Sequence, residues 1–227
     1  MGETTEPRVS TVRRLRREAW GFAAGSACFF AGALPWYAAW IGAVGTATTF
    51  VVGSVLFTAA AFIQLSLSGR SAPHQDTNPA DRADWWAAAV QFAGTLLFNI
   101  STGAALAAAL ARPDLAGAGW KPDAWGSLAF LVSSTLAVIA TKDRGTLWDL
   151  DARTWHGTWL NAAGSVAFAA SALGAYVLRA SGDLVSELWA NLGTALGALC
   201  FFTAALLSRR SIPKPEGTEP QIRTISE

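Results

Sequence analysis

Long apolar runs separated by short polar interruptions make up most of this chain. Six runs can be drawn, at residues 18–36, 41–67, 85–111, 123–141, 155–179 and 184–208. Runs of about twenty apolar residues match a hydrocarbon core roughly 30 Å thick. Backbone amides in lipid must be satisfied within their own segment, so each run is predicted to be an α-helix. The strict alternation of a lipid-facing barrel strand is absent from them. The pattern therefore predicts an all-α fold, a polytopic transmembrane bundle of six spans.

The runs share a phrase. AGSACF (24–29), AGTLLF (93–98) and AGSVAF (163–168) fall in the odd-numbered spans, and GSVLF (53–57), GSLAF (126–130) and the weaker GALCF (197–201) in the even ones. Every span thus holds Gly-small-x-x-Phe: Gly25/Phe29, Gly53/Phe57, Gly94/Phe98, Gly126/Phe130, Gly164/Phe168 and Gly197/Phe201. A longer match lays Asp81–Gly94 over Asp151–Gly164, with Trp85 on Trp155 and Gln91 on Asn161. The repeating unit is then a helical hairpin present three times, at 18–67, 85–141 and 155–208. Residues four apart share a helix face. Association in lipid relies on close backbone approach, which Gly permits while Phe fills the groove beside it. This is a packing motif with no evident chemistry.

Gly21 with Gly25, and Gly193 with Gly197, make GxxxG in the first and last spans alone. The expectation is that these two spans pack together and close the bundle. Glycine richness by itself is the competing explanation. Cys28 and Cys200 stand three residues past the motif Gly of the same two spans, and their intramembrane position implies no extracellular disulfide framework.

The hairpins resemble the YrhK-like domain, a small bacterial membrane hairpin family. Gly25-Ser26…Phe29 and Gly53-Ser54…Phe57, followed by FTAAAFIQ (57–64), carry the likeness best. The second hairpin has Thr95 in place of Ser, and the third departs at Ala198. The resemblance implies a membrane-embedded bacterial protein and implies no activity.

Composition agrees. Hydrophobic residues are 52% of the 227 and charged ones 15%, against about 25% charged in soluble domains. A net charge of +1 gives no basic field and no argument for nucleic acid. Position is more informative. Of the 17 Lys and Arg, 14 fall before the first span, after the last, or in the loops on that same side; only Arg112, Lys121 and Arg179 fall on the other. Positive charge favours the cytoplasmic side, so both termini are expected there, in a bacterial inner membrane. Most of the 11 Trp sit at span ends, the headgroup level that indole prefers. The first run has the basic lead of a signal peptide, but it shares the phrase of later spans and is read as retained.

Residues 1–17 form a basic segment with Val9, Val12 and Leu15 at helical spacing opposite Arg13, Arg14, Arg16 and Arg17, suited to an anionic inner leaflet. Residues 209–227 are Pro-rich and polar, and are expected to be disordered.

Chemistry is sparse. No Asp, Glu, Lys, Arg or His lies near the middle of a span, which weakens a proton-coupled transporter or an intramembrane hydrolase. Intramembrane amides remain, chiefly Gln91, Asn99 and Asn161. They either bond between helices, at about 0.6–2 kcal/mol each, or line a narrow polar cavity. His74, Asp76, Asp81, Asp84, Asp149, Asp151 and His156 lack the convergent spacing of a metal site. Phosphate-binding, zinc-hydrolase and serine-hydrolase motifs are absent. No catalytic residue, metal or cofactor is expected. The leading expectation is a non-enzymatic structural or interaction protein whose partners are the lipid bilayer and a second copy or another membrane protein. The alternative is a small transporter or channel for a neutral or apolar solute.

Overall fold

A computed structural model describes residues 9–66, 72–111, 117–146, 155–178 and 183–210, with the side chains of 9–11 and 209–210 not described. The expected disordered tail, the acidic pair Asp149 and Asp151, and the first residues of the basic segment lie outside these residues. The described residues are helical: α1 (Val9–Gly32), α2 (Pro35–Ser66), α3 (Pro79–Ala109), α4 (Trp120–Asp143), α5 (Trp155–Gly174) and α6 (Glu187–Arg210). One isolated antiparallel bridge, Val177 to Leu184, links the chain on either side of the α5–α6 connection.

Four helices, α2, α3, α4 and α6, are long and apolar enough to cross a membrane. Two of the six expected spans, α1 and α5, do not reach that standard. The first half of α1 carries Arg13, Arg14, Arg16, Arg17 and Glu18, and α5, though 20 residues long, opens with the weakly apolar stretch WHGTWLN.

Local chemistry explains the helix ends. Asn78 caps α3, its side-chain oxygen accepting from the Asp81 amide at 2.8 Å, with Pro79 in the first turn where no amide is missed. α4 finishes in a Schellman turn, where Gly145 at φ 74° lets its own amide reach Lys142 O and the Thr146 amide reach Thr141 O. Gly42, at φ 73° and ψ 175°, breaks α2 after its first seven residues, a conformation that side chains disfavour. The short segment before it holds the exposed Trp36 and Trp40, and the Tyr37 hydroxyl ties it back to Thr49 Oγ1 at 2.9 Å. The first expected span accordingly stops at Gly32, and Trp36 belongs to the second helix.

Each helix packs against its two chain neighbours, and α1 also packs against α6, so the six close into a ring. Neighbours run antiparallel. One Phe from every helix points inward: Phe29, Phe57, Phe98, Phe130, Phe168 and Phe201 form the buried core, with Phe22 and Phe50 against it. The outer surface exposes Val52, Leu96, Leu128, Val166, Leu173 and Leu199.

Candidate functional site

The motif glycines are the places of closest approach, and they work in pairs. A Cβ on Gly25 would stand 2.7 Å from the Phe57 ring and 2.9 Å from Gly53 O, while one on Gly53 would meet Phe29 and Gly25 O. Gly94 faces Phe130, and Gly126 faces Phe98 and Gly94 O. Gly164 faces Phe201 and Gly197 O, and Gly197 faces Phe168 and Gly164 O. In all three pairs of helices each Gly receives the Phe of its antiparallel partner. The contact is reciprocal, as a local two-fold axis between the glycines requires.

The expectation for GxxxG needs correction in one respect. α1 does pack on α6, but the GxxxG glycines are not what brings them together. Gly21 lies against Ala60 and Leu56 O of α2, and Gly193 against Ala167 O and Ser171 of α5. Cys28 and Cys200 likewise sit against Gly53 and Gly164, inside their own hairpins. Small residues report that a backbone comes close without saying whose.

The six Phe rings form two stacked triangles. Phe29, Phe98 and Phe168, from the odd-numbered helices, have centroids 6.2, 6.0 and 5.9 Å apart. Phe57, Phe130 and Phe201, from the even-numbered helices, have centroids 6.3, 6.1 and 5.5 Å apart. The triangles touch through Phe29–Phe57, Phe98–Phe130 and Phe168–Phe201 at 5.5, 5.2 and 5.5 Å. Edge-to-face arrangements dominate, as ring quadrupoles favour. The centre of the bundle is therefore filled.

Seven residues before each Phe, on the same helix face, stands a residue one layer further out. At the end where α1 starts and α6 finishes these are Phe22, Gln91 and Asn161; at the opposite end they are Phe50, Asp123 and Thr194. Phe22 packs on Phe57 and Phe50 on Phe29, at 5.6 and 5.5 Å. Gln91 Oε1 accepts from Ser133 Oγ on α4 at 3.4 Å. Thr194 and Ser171 hydroxyls meet at 2.6 Å between α6 and α5. Asn161 takes part through its backbone carbonyl, which accepts from Ser165 Oγ at 2.8 Å and Ser134 Oγ at 3.3 Å. Asp123 and Thr194 were not singled out in the sequence. Carrying the Gln91–Asn161 alignment into the even-numbered spans would have found them.

Asn99 belongs elsewhere. It stands five residues past its motif Gly and donates to Thr58 Oγ1 at 2.9 Å, and Thr58 holds the same place on α2. Its Oδ1 is buried without a partner. Gln91 thus bonds across α3–α4 and Asn99 across α2–α3, while the Asn161 carbonyl receives α4. No hydrogen bond joins any two of these three residues.

Buried hydroxyls hold the seams between hairpins. Ser54 meets Thr102 at 3.0 Å across α2–α3, and Ser165 meets Ser134 at 2.6 Å across α4–α5. Both pair the residue after one motif Gly with the residue eight past the other. By the same register the α1–α6 seam sets Ser26 opposite Ala205 and Ala33 opposite Ala198, so no hydroxyl pair forms. Ser26 Oγ is fully buried there with no hydrogen-bond partner.

At the end carrying the α3 N-terminus, Arg144 bonds Asp81 at 2.9 Å and lies 3.7 Å from Asp84. An open cleft of about 700 Å³ adjoins this pair, lined also by Asn78, Pro79 and Asp143. Among the described residues no three His, Cys, Asp or Glu side chains gather as a metal ion would need. Comparison with known protein families, with curated proteins and with solved structures finds no match for this chain.

Proposed function

We propose that this protein is an integral membrane scaffold without a reaction of its own, built of six spans as three parallel hairpins around a pseudo-threefold axis. The stacked phenylalanine triangles carry this reading, because they occupy the axis along which a solute would pass. α1 and α5 belong among the spans because each packs between two neighbours in the closed ring. Trp20 supplements the short apolar part of α1 at the headgroup level. The excess of Lys and Arg on one side supports a bacterial inner membrane with both termini in the cytoplasm. The likeness to the YrhK-like domain belongs to the same reading and rests on the Gly-Ser-x-x-Phe phrase. A second copy or another membrane protein would dock on the exposed aliphatic faces.

A second reading has its own observation. Polar residues stand two turns before the plug phenylalanines at both ends, Gln91 and Asn161 at one and Asp123 and Thr194 at the other, a placement like that around the hydrophobic constriction of a gated pore. Stopped-flow osmotic swelling of proteoliposomes with glycerol and urea separates the two. The scaffold predicts permeability equal to that of empty vesicles. Faster swelling that Gln91→Leu abolishes would establish the small-solute channel instead.

A further inference from the structure

The basic segment is not a separate element lying beside the bundle. α1 runs unbroken from Val9 to Gly32, so its arginines are fixed in register with the buried Phe29. On this helix Arg13, Arg17, Trp20, Ala24 and Ala27 are all exposed, and their spacing of four, three, four and three residues places them in one stripe. Ala19, Ala23, Ser26 and Phe29 are buried on the other side. The arginines therefore continue the outward, apolar face of the helix and do not point over the bundle end.

Depth follows from helix geometry. Trp20, Arg17 and Arg13 lie about 14, 18 and 24 Å along the axis from Phe29 at 1.5 Å per residue. Half a hydrocarbon core is about 15 Å. With the phenylalanine layers at the bilayer centre, Trp20 reaches the edge of the hydrocarbon, Arg17 the glycerol and phosphate level, and Arg13 the headgroup layer. Neither Arg13 nor Arg17 has an ion pair among the described residues, whereas Arg144 on α4 is bound to Asp81 and Asp84.

We infer that the outer stripe Arg13–Arg17–Trp20 of α1 is a binding site for the headgroup of an anionic phospholipid. Two guanidinium groups one turn apart face the phosphate from the lipid side, while the indole seats against the glycerol region. The inference rests on the membrane reading above. It is read only on protein that has already inserted, so its failure is distinct from the failure of that reading.

The test is native mass spectrometry of the full chain released from vesicles of phosphatidylcholine mixed with phosphatidylglycerol. The intact protein is expected to retain phosphatidylglycerol in preference. Arg13→Ala and Arg17→Ala should each reduce that preference about five-fold, the effect of one cation near a charged leaflet. Arg14→Ala, about 100° away around the helix, should reduce it less, and the Arg13→Lys/Arg17→Lys double variant should restore most of it. Inorganic phosphate at millimolar concentration should leave the retained lipid unchanged, because the site needs the acyl anchor. Equal retention of both lipids, an undiminished preference in the double alanine variant, an equal loss with Arg14→Ala, or displacement by free phosphate would each overturn the assignment.

Discussion

The bundle contains two kinds of central helix contact, built on different physics, although hydroxyl bonds such as Ser171–Thr194 also flank the first kind. Within a hairpin, as between α1 and α2, the central contact is a Gly against a Phe and a backbone carbonyl, repeated in both directions. Between hairpins, as at α4–α5, the contact is a buried hydroxyl pair, Ser134 with Ser165. The first kind depends on shape, and its penalty for an added atom is steric. The second depends on satisfying polar groups where no water competes, and its penalty is a lost bond. The α6–α1 seam belongs to the second kind by position but lacks the bond, since Ala205 stands where the other seams carry Thr102 and Ser134. At that register position the ring thus closes without a hydroxyl bond.

The largest expected effect breaks the shared centre. Phe130 is 1% exposed, and Phe130→Ala should cost about 3–5 kcal/mol of stability, measured by denaturant unfolding in mixed micelles. Next comes the shape-dependent seam. A Cβ on Gly193 would lie 2.6 Å from Ala167 O and 2.7 Å from Ser171 N, backbone atoms that cannot rotate aside. Gly193→Val should reach or pass the upper end of the roughly 1–3 kcal/mol typical of overpacking, and a thermal shift would show it.

The hydroxyl seams should respond more gently and unequally. A double-mutant cycle on Ser134 and Ser165 should return a coupling of about 0.6–1.7 kcal/mol. Ser26→Ala, by contrast, should cost nothing or stabilise, because its hydroxyl has no partner to lose. Ala205→Ser sharpens the comparison. If the register holds, it supplies the missing partner and should gain about 0.6 kcal/mol. A loss would show that the closing seam is built differently. Smallest is Gly103→Ala, in the interior of α3 with nothing within 4 Å of an added Cβ. It should stabilise by about 0.5 kcal/mol, since this glycine serves neither kind of interface.

Much of this was legible in the chain itself. The polar interruptions separated the six helices, because apolar length is the main constraint in lipid, but α1, α2 and α3 begin six to nine residues before their apolar runs. Gly25 to Phe29 and its five counterparts marked the core, since a four-residue spacing on a helix admits one face only. What stayed hidden was partnership. Gly21 and Gly193 announced close approach, yet α2 and α5 supply the neighbours. Asn99 looked like a companion of Gln91 because both are amides, but eight residues turn it toward α2. The break at Gly42 was hidden as well, since glycine is as common inside these helices as at their ends.

The reciprocity of the Gly–Phe contact bears on how the chain enters the membrane. Turned end over end, each hairpin core would present the same glycines to the same rings, so the packed centre carries almost no preference for which face of the bilayer it meets. Orientation would then reside in the periphery, in Arg13, Arg17, Arg82, Lys142 and Arg144 at one end, opposed at the other by Lys121 among the described residues. A protein so arranged is one whose topology a few surface charges could reverse without disturbing its core.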